Sequence, residues 1–304
     1  HFGVQLFFVI SGFILGRPFA AARLAGGPPI RLGRYFARRV TRLEPPYLIS
    51  LALMFGLLVV VKGESAGALG PHLLAHAAYL HNLIFPNTAG VQFIAWSLEI
   101  EVQFYVLAPL LALAFVAPAS GRNSLLLGLA AALMAVQWAV HGPAMPQVLT
   151  LANFAQFFLS GFLLAGLSVT RWVQPAPPRV AVAWDAVTLL GWPALLWVWR
   201  SETATFLLLP PLLTLLTAAA LRGRFSRRLF SLMPVARIGG MCYSIYLIHY
   251  PLISLAGRLT GRFRVTDSFA VNLLVQSALI VPVVLVGSAV YFVLFERPFM
   301  VRHW

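Results

Sequence analysis

Two glutamates lie inside a stretch long and apolar enough to cross a membrane. The run Val91–Ala117 carries Glu99 and Glu101 within Trp96-Ser-Leu-Glu-Ile-Glu-Val-Gln-Phe-Tyr105. At about 1.5 Å per residue, a helix starting at Val91 places Glu101 roughly 15 Å along its axis. A charge at that depth costs about 2.5–3.5 kcal/mol on insertion scales, so an intramembrane carboxylate reads as a functional residue. Ser97, Glu101 and Tyr105 recur at every fourth position and share one helix face, while Glu99 and Gln103 share another.

Three further groups carry chemistry. Arg39 and Arg42 stand one helical turn apart just before Leu-Glu-Pro-Pro-Tyr47 opens the next apolar run. A guanidinium pair so placed can clamp a phosphate bidentately, and the competing reading is topological anchoring. Cys242-Tyr-Ser-Ile-Tyr-Leu-Ile-His249-Tyr-Pro251 puts His249 well inside the span that begins at Ile238, with Tyr246 one turn before it and Tyr243 one turn earlier still. A neutral imidazole in a cavity acts as base or hydrogen-bond donor, and the alternative is a core histidine satisfied by a carbonyl or a tyrosine. Ser11 and Gly12 sit in the apolar helix Phe7-Phe-Val-Ile-Ser-Gly-Phe13, where small residues let backbones approach closely or face a ligand. Glu296 and Arg297 near the C-terminus read as a structural ion pair. His72, His76 and His81 are too loosely spaced to predict a metal, and no metal is expected.

The elements that must position these groups are membrane helices. The chain of 304 residues is 60% hydrophobic and 10% charged, against about 25% charged in a soluble domain. Its apolar runs are continuous, not alternating, which excludes a barrel. The fold expected is therefore all-α: a polytopic bundle with spans at Phe2–Gly16, Pro45–Val61, Val91–Ala117, Ser124–Val140, Val148–Ser168, Val180–Trp199, Thr203–Leu221, Ile238–Ala256 and Phe269–Phe295. Pro71–Pro86 is apolar but short and reads as a re-entrant or interfacial half-helix. Residues 1–304 read as one transmembrane domain. The single cysteine, Cys242, allows no internal disulfide.

The net charge of +14 suggests nucleic acid only until the basic residues are mapped. With the spans alternating, one side holds seven arginines from Arg17 to Arg42, then Arg122, Arg171, Arg179, five from Arg222 to Arg237, Arg297 and Arg302. The other side holds Lys62, Arg200, Arg258, Arg262 and Arg264. That asymmetry puts the arginine-rich loops and the C-terminus in the cytoplasm. It excludes a nucleic-acid partner and implies membrane lipids as neighbours. It also places His1 outside, so a protein starting inside is expected to carry one more helix ahead of it.

Read in order, Gly3-Val-Gln-Leu-Phe-Phe-Val-Ile-Ser-Gly-Phe13, Arg39-Val-Thr-Arg42-Leu-Glu-Pro-Pro-Tyr47, Trp96-Ser-Leu-Glu-Ile-Glu101-Val-Gln-Phe-Tyr105, Tyr243-Ser-Ile-Tyr-Leu-Ile-His249-Tyr-Pro251 and Glu296-Arg-Pro298 resemble acyltransferase family 3 of membrane proteins. The resemblance implies about ten helices in a complete protein and an O-acetyltransferase-like enzyme of surface polysaccharides. It implies transfer of an acyl group, acetyl in the simplest case, from cytoplasmic acyl-CoA to a hydroxyl of an extracytoplasmic glycan or lipid-linked saccharide. The location it implies is a bacterial inner membrane. By residue, it implies donor binding by Arg39, Arg42, Ser11 and Gly12, catalytic roles for Glu101 and His249, and a cavity lined by Ser97, Tyr105, Tyr243 and Tyr246. The family's candidate base, a histidine on a helix ahead of the Gly-Val-x-Leu-Phe-Phe element, lies outside this sequence. Direct transfer is the expected route, with Ser11 as the alternative nucleophile. A proton-coupled transporter or flippase is the rival reading, because intramembrane Glu and His also build proton relays.

Overall fold

The computed structural model describes residues 2–86, 88–144, 149–261, 263 and 265–300. His1, Arg262, Arg264 and Arg302 lie outside them. Among the described residues there is no strand. The helices are, in order, α1 (Phe2–Leu24), α2 (Leu32–Lys62), α3 (Ala66–Ala77), α4 (His81–Ile84), α5 (Trp96–Leu111), α6 (Ala119–His141), α7 (Ala155–Thr170), α8 (Pro178–Val198), α9 (Glu202–Arg222), α10 (Arg224–Phe230), α11 (Met233–Gly240), α12 (Cys242–Thr260), α13 (Phe269–Tyr291) and α14 (Arg297–Met300). The protein is an all-α polytopic membrane bundle.

Seven helical stretches among the described residues are long and apolar enough to cross a membrane. Counted together as one span, the pair α11 and α12, bent by 74° at its break, makes an eighth. Gly239 and Gly240 immediately precede that break, as expected of a sharp kink. The ninth span expected from sequence corresponds to α7, which has 16 residues. At 1.5 Å per residue it is about 24 Å long, short of a hydrocarbon core of about 30 Å. In the Pro71–Pro86 segment lie two short helices, α3 and α4, the first capped by the Ser65 side chain.

The chain divides into two compact units, the first His1–Tyr35, Tyr79–Thr88 and Trp96–Leu232, the second Phe36–Ala78, Ala89–Ala95 and Met233–Trp304. The first is organised on α7, whose Phe157, Phe158, Gly161, Phe162 and Ala165 are buried. Glycines on both helices let α1 and α7 touch backbone to backbone. A Cβ on Gly12 would strike the Phe158 carbonyl, and one on Gly161 would strike the backbone of α1 at Val9 and Phe13. Rings fill the space around this contact. Phe104 stacks on Phe158 at 4.1 Å, Phe8 on Phe158 at 4.6 Å, and Phe115 on Phe162 at 5.6 Å. Such pairs each add about 0.5–1.5 kcal/mol beyond area burial. At the far end of α9, the Asp185 carboxylate accepts the backbone N–H groups of Arg224, Phe225 and Ser226 at 2.9–3.0 Å and fixes the turn into α10.

The second unit is tied by side chains that bond backbone carbonyls. Tyr243 donates to Leu43 at 3.0 Å and Tyr47 to His76 at 3.0 Å, while the Tyr291 hydroxyl donates to Pro46. Gln92 donates to the Leu247 carbonyl at 3.0 Å and accepts from Ser50 at 3.1 Å. These ties fall where Pro45 and Pro46 interrupt the hydrogen-bond ladder of α2.

Candidate active site

In the first unit the backbone contact of α1 with α7 sets the height of Ser11, one residue before Gly12. Its hydroxyl donates to Glu101 Oε1 at 2.8 Å. Tyr105, one turn along α5 from Glu101, donates to the same oxygen at 2.5 Å. The helical spacing read from the sequence thus produces a real contact, and a third residue from a distant helix completes it. Glu101 is buried and Ser97 is buried on the same helix. Tyr35 donates to the Tyr105 carbonyl at 3.1 Å and steadies that end of α5. Two hydroxyls thus converge on one oxygen of this carboxylate, and each hydroxyl can rotate to another acceptor.

Glu99 is used differently. Its Oε2 accepts the Asn82 backbone N–H at 2.8 Å, and the Asn82 side chain donates to the Trp96 carbonyl at 2.9 Å. This pairing anchors the α4 segment on the start of α5. Gln103, which shares its face, accepts the Leu151 N–H at 2.9 Å. One face of α5 therefore holds neighbouring chain, while the other gathers hydroxyls around a carboxylate.

In the second unit Arg39 and Arg42 are both half-buried on α2, one turn apart as the sequence indicated. Glu296 does not form the expected pair with its neighbour. Its Oε2 accepts both the backbone N–H and the hydroxyl of Ser244, at 3.2 and 2.5 Å. Arg297 is exposed. The reason is local: a π-helical turn over Phe292–Glu296 ends α13 and rotates Glu296 inward. The guanidinium that acts electrostatically on this carboxylate is that of Arg42. Ser244 is the third residue of α12, so Glu296 satisfies an orphan donor in that helix's first turn and sits favourably on its dipole.

His249 is half-buried on α12. Its Nδ1 lies 3.0 Å from the Ile245 carbonyl and 2.8 Å from that of Tyr246. Both partners are acceptors, so Nδ1 carries the proton and the lone pair resides on Nε2. The Tyr243 and Tyr246 hydroxyls donate to the backbone carbonyls of Leu43 and Ile94 respectively. His76 is buried and takes the Gln92 N–H on Nε2 at 3.5 Å, His81 is buried on α4, and His72 lies on α3.

Sequence reasoning missed the Ser244–Glu296–Arg42 cluster. Its three members come from three helices, and no spacing within one helix announces them. The only available signal was that Glu296 closes a run otherwise free of charge.

Comparison with known proteins gives the chain its relatives. A model of an acyltransferase domain matches residues 1–293. The chain is similar to the peptidoglycan O-acetyltransferase OatA of Listeria monocytogenes, 27% identical over 83% of this chain and 45% of the relative. It is similar to the putative membrane-bound transacylase BcsY of Komagataeibacter xylinus, 27% identical over 97% of this chain and 75% of the relative. It is also similar to the O-acetyltransferase OatA of Staphylococcus aureus, 24% identical over 83% of this chain and 45% of the relative. The chain thus spans less than half the length of the OatA proteins it matches. No solved structure matches it.

Proposed function

This chain belongs to the acyltransferase family whose domain it matches from residue 1 to 293, and from that premise we propose that it transfers an acyl group, acetyl in the simplest case, from cytoplasmic acyl-CoA to a hydroxyl of an extracytoplasmic glycan or lipid-linked saccharide in a bacterial inner membrane. The observation that carries the reading is the buried carboxylate of Glu101, held by the two hydroxyls of Ser11 and Tyr105 inside a membrane helix. The relatives' names supply the acceptor class: two are O-acetyltransferases, one of them of peptidoglycan.

The acceptor oxygen attacks the thioester carbonyl carbon and gives its proton to a base. The tetrahedral intermediate then expels the CoA thiolate, which takes up a proton, leaving an O-acyl ester and free CoA. This chain offers two bases. Glu101 is one, buried so that its charge is poorly screened. His249 is the other, with its lone pair on Nε2 because Nδ1–H is tied to carbonyls. Arg39 and Arg42 hold the donor's phosphates as a charged pair. Ser11 is engaged with Glu101 and accordingly positions the carboxylate, and Gly12 permits the helix approach that brings Ser11 there. Ser97, Tyr243 and Tyr246 shape the helices that carry these groups.

Acetyl-CoA binding to the purified protein in detergent tests the donor half. Charge-assisted hydrogen bonds are worth about 1.5–3 kcal/mol each. Arg39→Ala with Arg42→Ala is therefore expected to weaken binding by roughly 10²-fold or more. Equal binding by wild type and double mutant would remove the arginines from the donor site. Binding by neither would turn the reading toward transport.

A further inference from the structure

Five helices of the first unit bring their ends to one cavity of about 470 Å³. That size is ordinary for a small-molecule site. Four carboxamides line it: Gln5 near the start of α1, Gln137 near the end of α6, and Asn153 and Gln156 at the start of α7. Four aromatic side chains, Phe154, Phe157, Trp199 and Phe206, line it with them. Its charged or titratable lining groups are His141 and Glu202, both exposed.

The cavity opens at one end of its helices, and charge identifies that end. α1, α7 and α9 begin at the cavity and run toward Arg17, Arg171 and Arg222. α6 and α8 run the other way, from Arg122 and Arg179. On the cavity side the nearest basic residue in these segments is Arg200. Positive charge marks the cytoplasmic side, so the cavity faces outward.

The lining is built for hydroxyl groups. A carboxamide both donates and accepts, which suits an alcohol and gives no advantage to a phosphate. Two of the four carboxamides are fixed in advance by a bond between them, and each also holds a backbone carbonyl. Gln137 donates to the Ala152 carbonyl at 2.8 Å and to Gln156 at 3.3 Å, and Gln156 donates to the Asn153 carbonyl at 3.2 Å. Gln5 Oε1 is buried and has no hydrogen-bond partner among the described residues, an acceptor that an incoming O–H would satisfy. Aromatic faces beside such groups pack on the apolar C–H faces of a sugar ring. The inner wall is aromatic too. Phe154 lies 5.6 Å from Phe8 and 5.5 Å from Trp96. Ser11 follows Gln5 by six residues, about 9 Å along α1. The cavity and the Glu101 network are thus stacked along one helix, with the Phe8 layer between them.

We propose that this outward cavity binds a saccharide unit of the acyl acceptor through Gln5, Gln137, Asn153 and Gln156, with Trp199 stacked on the ring. The proposal rests on the acceptor reading above. Its test is equilibrium binding of chitotetraose and cellotetraose to the detergent-solubilised protein, for wild type, Gln5→Leu and Trp199→Ala. Trp199 is 48% exposed at the end of α8, so its truncation is compatible with folding. Retained acetyl-CoA binding reports that each variant is folded. The expected result is saccharide binding by wild type, weakened about tenfold or more in both variants. Wild-type binding left unchanged in both would overturn the site and spare the acceptor reading. No saccharide binding by wild type, with acetyl-CoA binding intact, would overturn both. A phospholipid that copurifies with wild type and is lost from Trp199→Ala would reassign the cavity to lipid.

Discussion

Glu101 in the first unit is 4% exposed and Glu296 in the second is fully buried, and each accepts a serine hydroxyl. What completes each site separates them. Glu101 takes a second hydroxyl, from Tyr105. Glu296 takes the backbone N–H of Ser244 and acts on the guanidinium of Arg42. A backbone donor in the first turn of a helix cannot turn away, so Glu296 works as a cap. Hydroxyl donors can rotate to a new acceptor, so the Glu101 site can change its hydrogen bonding during a reaction. On the proposed reading the two buried carboxylates serve different ends, marked by the Ser11 and Tyr105 hydroxyls at one and the Ser244 N–H at the other.

The largest expected effect tests that distinction at Glu101. Glu101→Gln keeps the shape and leaves Oε1 to accept from Ser11 and Tyr105, so the fold should survive with a melting temperature near that of wild type. The charge and the basicity are lost. General-base contributions run about 10²–10⁴-fold, and acyl transfer in membranes from cells expressing the variant should fall by that order. A variant that transfers at the wild-type rate would make Glu101 a structural residue like Glu296.

At Glu296 the order of effects should reverse. Glu296→Ala leaves the Ser244 N–H and hydroxyl buried without their acceptor, a cost of about 1–3 kcal/mol. The expected readout is a lower thermal midpoint in detergent, with Glu296→Gln, which keeps an acceptor oxygen, recovering most of it. If Glu296→Gln instead folds normally and loses transfer as completely as Glu101→Gln, both carboxylates act in the chemistry.

Much of the fold was legible because membrane helices announce themselves by length and apolarity. Arginine asymmetry ordered them, and the every-fourth-residue spacing of Ser97, Glu101 and Tyr105 placed a true contact on one face. The sequence did not reveal what other helices bring. Ser11 reaches Glu101 from 90 residues away, because Gly12 and Gly161 let two backbones meet. Glu296 turned from its neighbour Arg297 because of a π-helical turn that no periodicity signals. Gln5, Gln137 and Gln156 each look like an isolated polar residue in an apolar run, and they gain meaning only when three helices converge. Tyr243 and Tyr246 appear beside His249 in the sequence as reactive company, yet their hydroxyls are donated to backbone carbonyls.

The smallest effects sharpen the reading of Glu101 itself. Ser11→Ala and Tyr105→Phe each remove one donor to the same oxygen. A single hydrogen bond to a charged group is worth about 1.5–3 kcal/mol, but the remaining donor shares the load. Each variant is therefore expected to lose about tenfold in transfer, and the double variant is expected to lose more than the sum of the two free-energy changes. Ser11→Ala also decides the chemical route. In direct transfer Ser11 only steadies the carboxylate, so the variant stays active at a reduced rate. If Ser11 were instead the acylated nucleophile, the same substitution would abolish transfer while Tyr105→Phe merely slowed it. Mass analysis of wild-type protein incubated with acetyl-CoA would then show an acetyl adduct on the peptide containing Ser11.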